Sequence, residues 1–282
     1  DLINCHSHHT YTQLKQKYPN KTKFVPHALP QDLFFPLPKP MVYQQKAQVL
    51  GPGRQDDFVM FWVNRNARRK RPGDLLLCWS NFIKHLKDKH GHKKATLLLH
   101  TDPMDKEGPN LFAVAEHLGI RDTVVFSNQR VDFNMMNLLH NISDCTINIS
   151  YAEGFGLSTL EAMMTGTPII APMTGGQTRQ VVHCKTGEHN GVALPIEFQS
   201  LVGSQGVPYI LEDYASNEAI TNAMIKMYEM GPEKRQQLGD TALEYARTEF
   251  GMDKTVELWS KTMLDTIHSW KKTRKSYELL EI

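Results

Sequence analysis

The chain has 282 residues, of which 40% are hydrophobic and 22% are charged. These values are ordinary for a folded globular protein with one large domain or two modest ones. The formal net charge of +2 is close to neutral, so the composition gives no electrostatic argument for a nucleic-acid-binding protein. No apolar run reaches the roughly 18 residues that a membrane span requires, so we expect no membrane span.

The cysteines indicate a reducing environment. There are four, Cys5, Cys78, Cys145 and Cys184, and they show neither a CxxC pair nor a zinc-like spacing. Cys78 and Cys145 stand in apolar runs, where a free thiol behaves as a small buried hydrophobic group. We therefore expect a cytoplasmic protein without a disulfide framework.

Residues 1–36 are predicted to form a strand, a short helix and a second strand, followed by a proline-rich connector. The predicted elements are residues 2–5, 10–17 and 21–25. Four prolines between residues 30 and 40 oppose regular structure, so we place a domain boundary there. Residues 41–56 are predicted to continue as a loop. Because the chain opens without a methionine and directly on a strand-like segment, we expect it to be a piece of a longer protein.

From Asp57 onward, short apolar runs alternate with amphipathic segments. The predicted strands are residues 58–63, 95–100, 123–126, 145–150 and 168–172, and the predicted helices between them are 74–87, 110–118, 133–140 and 158–165. This alternation predicts an α/β fold, a Rossmann-like doubly wound parallel sheet with helices on both faces. We assign residues 37–250 to this domain, within which residues 203–216 resemble an insertion of unknown role.

The last part of the chain is predicted to be helical. Residues 216–250 are predicted to form two helices separated at Gly231–Pro232, and residues 251–282 are predicted to hold a final helix. The final helix carries apolar residues three or four positions apart, which form one continuous stripe. These residues are Val256, Trp259, Met263, Ile267 and Trp270.

Basic side chains are concentrated just after the strand predicted at 58–63. The run VNRNARRKRPGD contains Arg65, Arg68, Arg69, Lys70 and Arg71. In an open parallel sheet, ligands bind beyond the carboxyl ends of the strands, and these cations can neutralise a diphosphate there. A solvated basic loop or a nucleic-acid patch explains a bare basic run about equally well.

A glycine-containing turn follows the strand predicted at 145–150. Gly154 and Gly156 allow the backbone to approach a ligand closely, and the helix predicted next directs its first free amides toward an anion. Glu153 lies in the turn and Glu161 lies eight residues later, where a carboxylate can accept hydrogen bonds from sugar or ribose hydroxyls. Taken alone, the same pattern also fits a tight strand-to-helix turn with a surface glutamate.

The whole run S-x-x-EGFGLSTLEAM-x-x-GTPIIA, followed by a Gly-Gly pair, resembles the signature of family-4 retaining glycosyltransferases. These enzymes have the GT-B fold, in which two Rossmann-like domains face each other. The arginine and the lysine five residues later in the upstream loop, Arg65 and Lys70, match the family in type and spacing. The segment FVPHALPQDLFFP resembles the family's interdomain connector. The resemblance implies the C-terminal donor-binding domain of such an enzyme, preceded in residues 1–36 by the end of the acceptor domain.

The resemblance also implies roles for individual residues. Arg65 and Lys70 would bind the donor diphosphate and, with Glu153 at the transferred sugar, form the catalytic set. Glu161 would hold the ribose, and the residues from Ser127 to Arg130 would lie beside the base. The implied donor-binding set is Asn64, Ser127, Asn128, Arg130, Gly154, Phe155, Gly156, Leu157, Ser158, Glu161, Gly175 and Gly176.

The implied reaction is sugar transfer, with retention at the anomeric carbon, from a nucleotide-diphosphate sugar to a glycan, lipid or protein acceptor. Such enzymes generally need no metal and no further cofactor. An NRN-x-x-RKR loop similar to that of virus-like relatives favours GDP-mannose slightly over a UDP-sugar. We expect a hexosyltransferase that is incomplete in these 282 residues, which would bind the donor but transfer poorly without the N-terminal domain.

Two other interpretations stay open at this point. The chain could be a non-catalytic nucleotide-binding module that uses the same cleft. It could instead be a metal-dependent hydrolase, since HSHHT places His6, His8 and His9 directly after a strand, although later metal ligands are not evident. One departure from the family concerns sugar selectivity, because Arg179 stands near the place where an acidic residue often follows the Gly-Gly pair.

Overall fold

The computed structural model of the chain describes residues 2–274. Its first elements are strand β1 (Ile3–Cys5), helix α1 (His8–Lys17) and strand β2 (Thr22–Phe24). The two strands pair in parallel, as a strand–helix–strand unit requires. Ser7 caps α1, since its Oγ accepts a hydrogen bond from the Thr10 amide at 3.1 Å. The strand–helix–strand prediction is confirmed.

The central sheet has six strands, all parallel. They are β3 (Phe58–Val63), β4 (Ala95–His100), β5 (Val124–Ser127), β6 (Cys145–Ile147), β7 (Ile169–Pro172) and β8 (Gly191–Leu194). Their order across the sheet is β5-β4-β3-β6-β7-β8. Strands buried on both faces are apolar at nearly every position, and the FVMFWV sequence of β3 meets this requirement.

Nine further helices are described along residues 2–274. They are α2 (Lys39–Leu50), α3 (Pro72–His90), α4 (Leu111–His117), α5 (Phe133–Asn141), α6 (Leu157–Met164), α7 (Thr178–Val181), α8 (Asn217–Glu229), α9 (Gly231–Glu249) and α10 (Met252–Thr273). Met60 and Trp62 of β3 pack with α3 and α8 on one face of the sheet, whereas Val59 and Phe61 pack with α2 and α5 on the other. The predicted doubly wound α/β fold is confirmed.

Strand β3 marks the topological switch point, because its neighbours are β4 on one side and β6 on the other. The chain therefore leaves the carboxyl ends of β3 and β6 toward opposite faces and opens a crevice between them. The basic loop follows β3 and the glycine turn follows β6. The topology thus brings together two motifs that are about 80 residues apart in sequence.

The prediction of a loop over residues 41–56 is wrong, because α2 occupies Lys39–Leu50. Pro40 lies in the first turn, where the missing amide hydrogen is not needed by the helix. Leu50 is buried against Val59 and Phe61 of β3. A helix that starts on a proline and buries little of its surface has weak periodicity, which is why the pattern was missed.

Residues 203–216, interpreted from sequence as an insertion, belong to a β-hairpin. Strand β9 (Phe198–Val202) pairs in antiparallel fashion with β10 (Ile210–Tyr214). The rings of Phe198 and Tyr214 stack with their centroids 4.6 Å apart. The short edge strand β8 and the hairpin strand β9 were also absent from the prediction.

Helix α10 returns to the N-terminal unit. The Asn4 amide donates to Thr262 Oγ1 at 3.0 Å, and the Thr255 hydroxyl donates to the Pro26 carbonyl at 3.4 Å. Much of the predicted apolar stripe is exposed, including 54% of Met263 and 47% of Trp270. Residues 275–282 of the predicted final segment lie outside the described part of the chain.

Candidate functional site

The central contact of the crevice joins the basic loop to the glycine turn. Lys70 ends a short 3-10 helix over residues 68–70, and its ammonium is paired with the carboxylate of Glu153. Both side chains are largely buried, with 8% and 14% of their surface exposed. Burial lowers the pKa of Lys70, whereas the neighbouring Glu153 opposes this shift. A buried cation beside a carboxylate is well prepared to exchange that partner for a phosphate oxygen.

Arg71 fixes the position of Lys70. Its backbone is left-handed, with φ of 58°, and this turn ends the 3-10 helix and starts α3. The guanidinium donates to Asp74 Oδ2 at 2.8 Å and to the Ala215 carbonyl at 2.9 Å, and it lies 4.7 Å from the centre of the Tyr151 ring. Because non-glycine residues rarely adopt this conformation, these contacts have to hold the turn in place.

The glycine turn is closely packed against the Gly-Gly pair after β7. The Gly176 amide donates to the Glu153 carbonyl at 3.1 Å. A Cβ atom on Gly176 would lie 2.4 Å from Phe155 Cα and 2.6 Å from the Gly154 carbonyl oxygen. Since both of these atoms belong to the backbone, only glycine permits the two loops to approach this closely. The structure therefore brings together Glu153, Gly154, Phe155 and Gly176, as the sequence predicted.

Helix α6 begins in the crevice. Its first residue is Leu157, preceded by Gly156 with φ of 91°, and no side chain caps its first amides. The first amides of a helix have no partner within the helix and favour an anion in front of them. Leu157 is 46% exposed, so this end of the helix is open.

Glu161 lies one turn further along α6 and is held by a buried histidine. His140 is fully buried; its Nε2 lies 3.2 Å from Glu161 Oε2 and its Nδ1 lies 3.2 Å from Thr146 Oγ1. Phe61 packs edge-on against the ring with centroids 4.9 Å apart. The imidazole thus fixes the orientation of the carboxylate that the resemblance assigns to the ribose. Sequence analysis missed His140 because it stands within an apolar run.

Ser127 and His100 are the last residues of the neighbouring strands β5 and β4, and their side chains meet at the carboxyl ends of these strands. His100 Nδ1 lies 2.9 Å from Ser127 Oγ. Burial lowers the pKa of His100, the nearby His140 lowers it further, and Glu161 opposes the shift. Asn128 and Arg130, also predicted beside the base, are exposed just beyond β5.

Arg65 is not brought together with Lys70 and Glu153. Its side chain is 60% exposed and forms ion pairs with Asp105 at 2.7 Å and with Glu107 at 3.0 Å. These partners come from the loop after β4, about 40 residues later in the chain, so the sequence spacing gave no sign of them. In the described structure, Lys70 is therefore the cation of the predicted pair that is in contact with Glu153.

Several buried polar atoms at the carboxyl ends of the strands have no hydrogen-bond partner among the described residues. They lie at the carboxyl ends of three adjacent strands of the sheet, β4, β3 and β6. They are Asn64 Nδ2 and Asn66 Oδ1 after β3, Thr101 Oγ1 after β4, and Asn148 Nδ2 and Ser150 Oγ after β6. Buried polar groups are normally satisfied, so a concentration of unsatisfied ones indicates a place for a polar ligand or its water.

The β9–β10 hairpin closes one side of the crevice, a role that sequence analysis did not foresee. Glu212 forms a two-pronged ion pair with the Arg68 guanidinium, one contact of which is 3.2 Å. Asp213 donates its amide to the Tyr151 carbonyl at 2.8 Å and accepts the Thr174 hydroxyl at 2.5 Å. The hairpin therefore links the loops after β3, β6 and β7, and it occupies Arg68 with a protein carboxylate.

Arg179, which stands where the family often has an acidic residue, is not directed into the crevice. It pairs with Glu249 at 2.6 Å, and its guanidinium lies 5.0 Å from the centre of the Phe24 ring. Its carbonyl accepts the Tyr245 hydroxyl at 2.8 Å. Arg179 thus connects α7 to α9 and to the N-terminal unit.

The N-terminal histidines do not converge on a common point. His6 stacks on His27 with centroids 4.2 Å apart, and His8 packs edge-on against Phe24. Within residues 2–274, the group of side chains with metal-compatible spacing lies elsewhere and does not include His6, His8 or His9. These contacts give no support to the metal-dependent hydrolase hypothesis. The same residues contain no helix that is both long and apolar enough to cross a bilayer.

Comparisons with known proteins agree on the fold and the family. The family model described as glycosyl transferases group 1 matches residues 52–245. A D-inositol 3-phosphate glycosyltransferase 2 from Catenulispora acidiphila is 28% identical over 166 residues, which cover 57% of this chain and 38% of that protein.

Two solved structures are similar over nearly all of the chain. Sucrose-phosphate synthase from Thermosynechococcus elongatus matches with a TM-score of 0.73 at 20% identity, over 95% of this chain and 59% of that one. Anabaena HepE in complex with UDP-glucose matches with a TM-score of 0.72 at 19% identity, over 94% and 64%. At this identity the similarity shows the fold, and the chain spans less than two thirds of each of these three proteins. Since the family match covers more than half of its residues, the chain belongs to the glycosyl transferases group 1 family.

Proposed function

We propose that this chain is the donor-binding half of a family-4 retaining glycosyltransferase and binds a nucleotide-diphosphate sugar in the crevice between β3 and β6. The observation that carries the proposal is the buried pair of Lys70 and Glu153, formed in the turn that leads into the uncapped start of α6 at Leu157. A diphosphate requires cations and free amides, and Lys70 and the first amides of α6 are groups of these two kinds. Asn64 and Asn148, just after β3 and β6, each have an unpartnered polar atom at the carboxyl ends of the same two strands.

In the proposed reaction, the bond between the anomeric carbon and the diphosphate oxygen breaks, and its electron pair stays on the diphosphate. The acceptor hydroxyl oxygen forms the new bond on the same face of the sugar, and its proton leaves with the diphosphate oxygen. Lys70 and the first amides of α6 stabilise the negative charge that grows on the leaving group, which makes Lys70 catalytic as well as binding. Glu153 releases Lys70 to the diphosphate and then accepts hydrogen bonds from the sugar hydroxyls.

The exchange of partners at Lys70 makes a distinctive prediction for Glu153→Gln. The amide keeps the shape of the side chain but removes a negative charge beside the diphosphate, so nucleoside diphosphate affinity should rise several-fold to about tenfold. The gain should shrink at high salt as screening increases. Calorimetric titration at two salt concentrations measures both effects. Glu249→Gln is the control, because it neutralises a buried, ion-paired carboxylate away from the crevice, and it should change neither the affinity nor its salt dependence. An unchanged or lower affinity in Glu153→Gln would contradict the proposed exchange of partners at Lys70.

His140 is proposed to position Glu161 for the ribose hydroxyls. His140→Phe keeps a flat ring but removes the hydrogen bond to Glu161, so affinity for a nucleoside diphosphate should fall by about fivefold. Affinity for the corresponding 2′,3′-dideoxy nucleotide should change little, because that ligand lacks the hydroxyls. His140→Gln retains an amide donor and should recover part of the loss. Equal losses for both nucleotides would indicate a purely structural role for His140.

The base and the sugar are the least constrained part of the proposal. The solved relative HepE carries UDP-glucose, whereas the basic loop favours GDP-mannose slightly. A thermal-shift panel of UDP, GDP, ADP and their sugars tests the function, because a ligand that binds the folded state raises its melting temperature. We expect one base to give a clear, saturable shift with its diphosphate. No shift with any nucleotide would overturn the proposed function.

We propose a missing N-terminal acceptor domain as the partner of this chain, with residues 1–36 as its end and 251–282 crossing toward it. The exposed apolar residues of α10, such as Met263 and Trp270, support this, because a large exposed apolar stripe normally has a partner. The acceptor is then a glycan, lipid or protein held by that domain, and these 282 residues alone should transfer poorly. The cysteines are free, which fits the proposed cytoplasmic location.

A non-catalytic nucleotide-binding module is the second candidate, favoured by one observation. Arg65, the other cation of the predicted catalytic pair, is engaged with Asp105 and Glu107. If Arg65 stays there when a donor binds, the leaving diphosphate receives less charge stabilisation. Slow hydrolysis of a bound nucleotide sugar by this chain, abolished in Lys70→Met, supports the enzyme; binding without any sugar release favours the module.

A further inference from the structure

Three metal-compatible side chains converge where α3 and α8 both end. His85 and His90 come from the last turns of α3, and Glu229 is the last residue of α8. Glu229 Oε1 lies 2.7 Å from His90 Nε2 and 3.3 Å from His85 Nε2. All three atoms lie within 4.8 Å of one another. We propose that these residues bind a single Zn²⁺ ion, with water completing its coordination.

The distances suit this ion. Zn²⁺ binds imidazole nitrogen and carboxylate oxygen at about 2.0–2.2 Å, so tetrahedral ligand atoms are about 3.3 Å apart. The separation of 3.3 Å between His85 Nε2 and Glu229 Oε1 matches this value, whereas the 2.7 Å between His90 Nε2 and Glu229 Oε1 is shorter, so the proposed site requires a small rotation of the His90 or Glu229 side chain. Two imidazoles and one carboxylate are ligands that zinc accepts, with a position left for water.

The surroundings also favour a cation. The site lies at the carboxyl end of α3, where the unpaired carbonyls of a helix carry partial negative charge. The side chains of His85 and His90 are each 29% exposed, so their neighbours restrict them, whereas Glu229 stands at an exposed position that a metal can reach from solvent. Tyr228 packs edge-on against His90 with centroids 5.5 Å apart and limits where that ring can go.

One contact competes with the ion. The Lys89 ammonium lies 3.0 Å from the same carboxylate oxygen of Glu229. This lysine is 54% exposed, and such surface pairs contribute little, so Lys89 can turn away when a metal binds. Removal of Lys89 should therefore strengthen metal binding, a result that is not expected if the cluster only forms ion pairs.

The site is separate from the donor crevice. Helix α3 starts at Pro72 beside the basic loop and ends at His90, so its 19 residues put the two sites on the order of 27 Å apart. A metal here would join the ends of α3 and α8 and stabilise the folded chain without touching the nucleotide. The proposal therefore stands or falls independently of the proposed function.

The test is a calorimetric titration of the EDTA-treated full chain with ZnCl₂, together with its thermal shift. We expect one ion per chain and a higher melting temperature. The double variant His85→Gln/His90→Gln should lose affinity by at least about tenfold. Lys89→Met should bind zinc equally well or more tightly, and His268→Gln, an exposed histidine on α10, should behave as the parent chain.

Several outcomes would overturn the site. These are the absence of a one-to-one binding event, undiminished binding in the double variant, or weaker binding in Lys89→Met, which would mean that ion pairing explains the cluster. Loss of zinc binding in His6→Gln/His8→Gln/His9→Gln instead would transfer the metal to the N-terminal histidines. Nucleotide affinity should be the same with and without zinc.

Discussion

Replacing Lys70 by methionine should lower nucleoside diphosphate affinity by roughly 10- to 100-fold, since hydrogen bonds to charged groups contribute about 1.5–3 kcal/mol. Affinity for the nucleoside without phosphate should change little, because the contacts proposed for Lys70 are with the phosphates. Sugar release should fall by more than binding does, since the charge on the leaving group is greatest in the transition state. Calorimetry with both ligands and a donor hydrolysis assay measure these three quantities.

The same variant should also be less stable. Loss of Lys70 leaves the Glu153 carboxylate largely buried without its partner, and breaking a buried pair costs about 3–5 kcal/mol. Lys46→Met is a matched control. Lys46 is also mostly buried, and its Nζ lies 3.5 Å from Oδ2 of Asp144 at the amino ends of the strands, away from the crevice. Lys46→Met should reduce stability while nucleotide affinity stays unchanged. Equal affinities for Lys70→Met and the parent chain would remove Lys70 from the site.

Gly176→Ala should disrupt the candidate site from within. The added Cβ would lie 2.4 Å from Phe155 Cα and 2.6 Å from the Gly154 carbonyl oxygen, so the turn and the Gly-Gly pair must move apart. Overpacking of this kind costs about 1–3 kcal/mol, and each kcal/mol lowers the melting temperature by about 2–4 °C in a chain of this size. Nucleoside diphosphate affinity should also fall, since the displaced turn leads directly into the first amides of α6 that are proposed to bind the phosphates. Thermal unfolding and nucleotide titration measure the two effects.

Gly154→Ala is the control for this variant, because no atom lies within 4 Å of the Cβ that it adds. Its stability should match that of the parent chain. Gly154 is exposed in the turn between Glu153 and α6, so the extra methyl group should nevertheless weaken the binding of a diphosphate sugar there. A Gly176→Ala protein that is as stable as Gly154→Ala would contradict the packing described for these loops.

The sheet could be predicted from sequence because its strands are buried on both faces. The runs at 58–63 and 95–100 are apolar at nearly every position, and their bounds agree with β3 and β4. The helices between the strands have apolar residues at a clear helical spacing, because each helix buries one side. The missed elements include α2 and the hairpin strands β9 and β10, which bury few residues, and the edge strand β8, which is buried but only four residues long. A short or mostly exposed segment has no strong pattern.

Within the candidate site, too, the residues that belong to a clear sequence motif were predicted, and contacts between distant parts of the chain were not. Lys70, Glu153 and the two glycine segments were predicted together, because each belongs to an ordered motif next to a strand end. The orientation of Arg65 was not predictable, since Asp105 and Glu107 reach it only through the fold. Glu212 was missed for a similar reason, as its partner Arg68 lies 144 residues away in sequence, and His140 was missed because it stands within an apolar run.

The most direct test of the account is a crystal structure of this chain with the nucleoside diphosphate selected by the thermal-shift panel. We predict that the diphosphate lies between Lys70 and the first turn of α6, with the Lys70–Glu153 pair opened and the ribose hydroxyls on Glu161. A nucleotide bound instead in the cavity of about 800 Å³ at the amino ends of the strands, beside Lys46 and Arg235, would contradict the account.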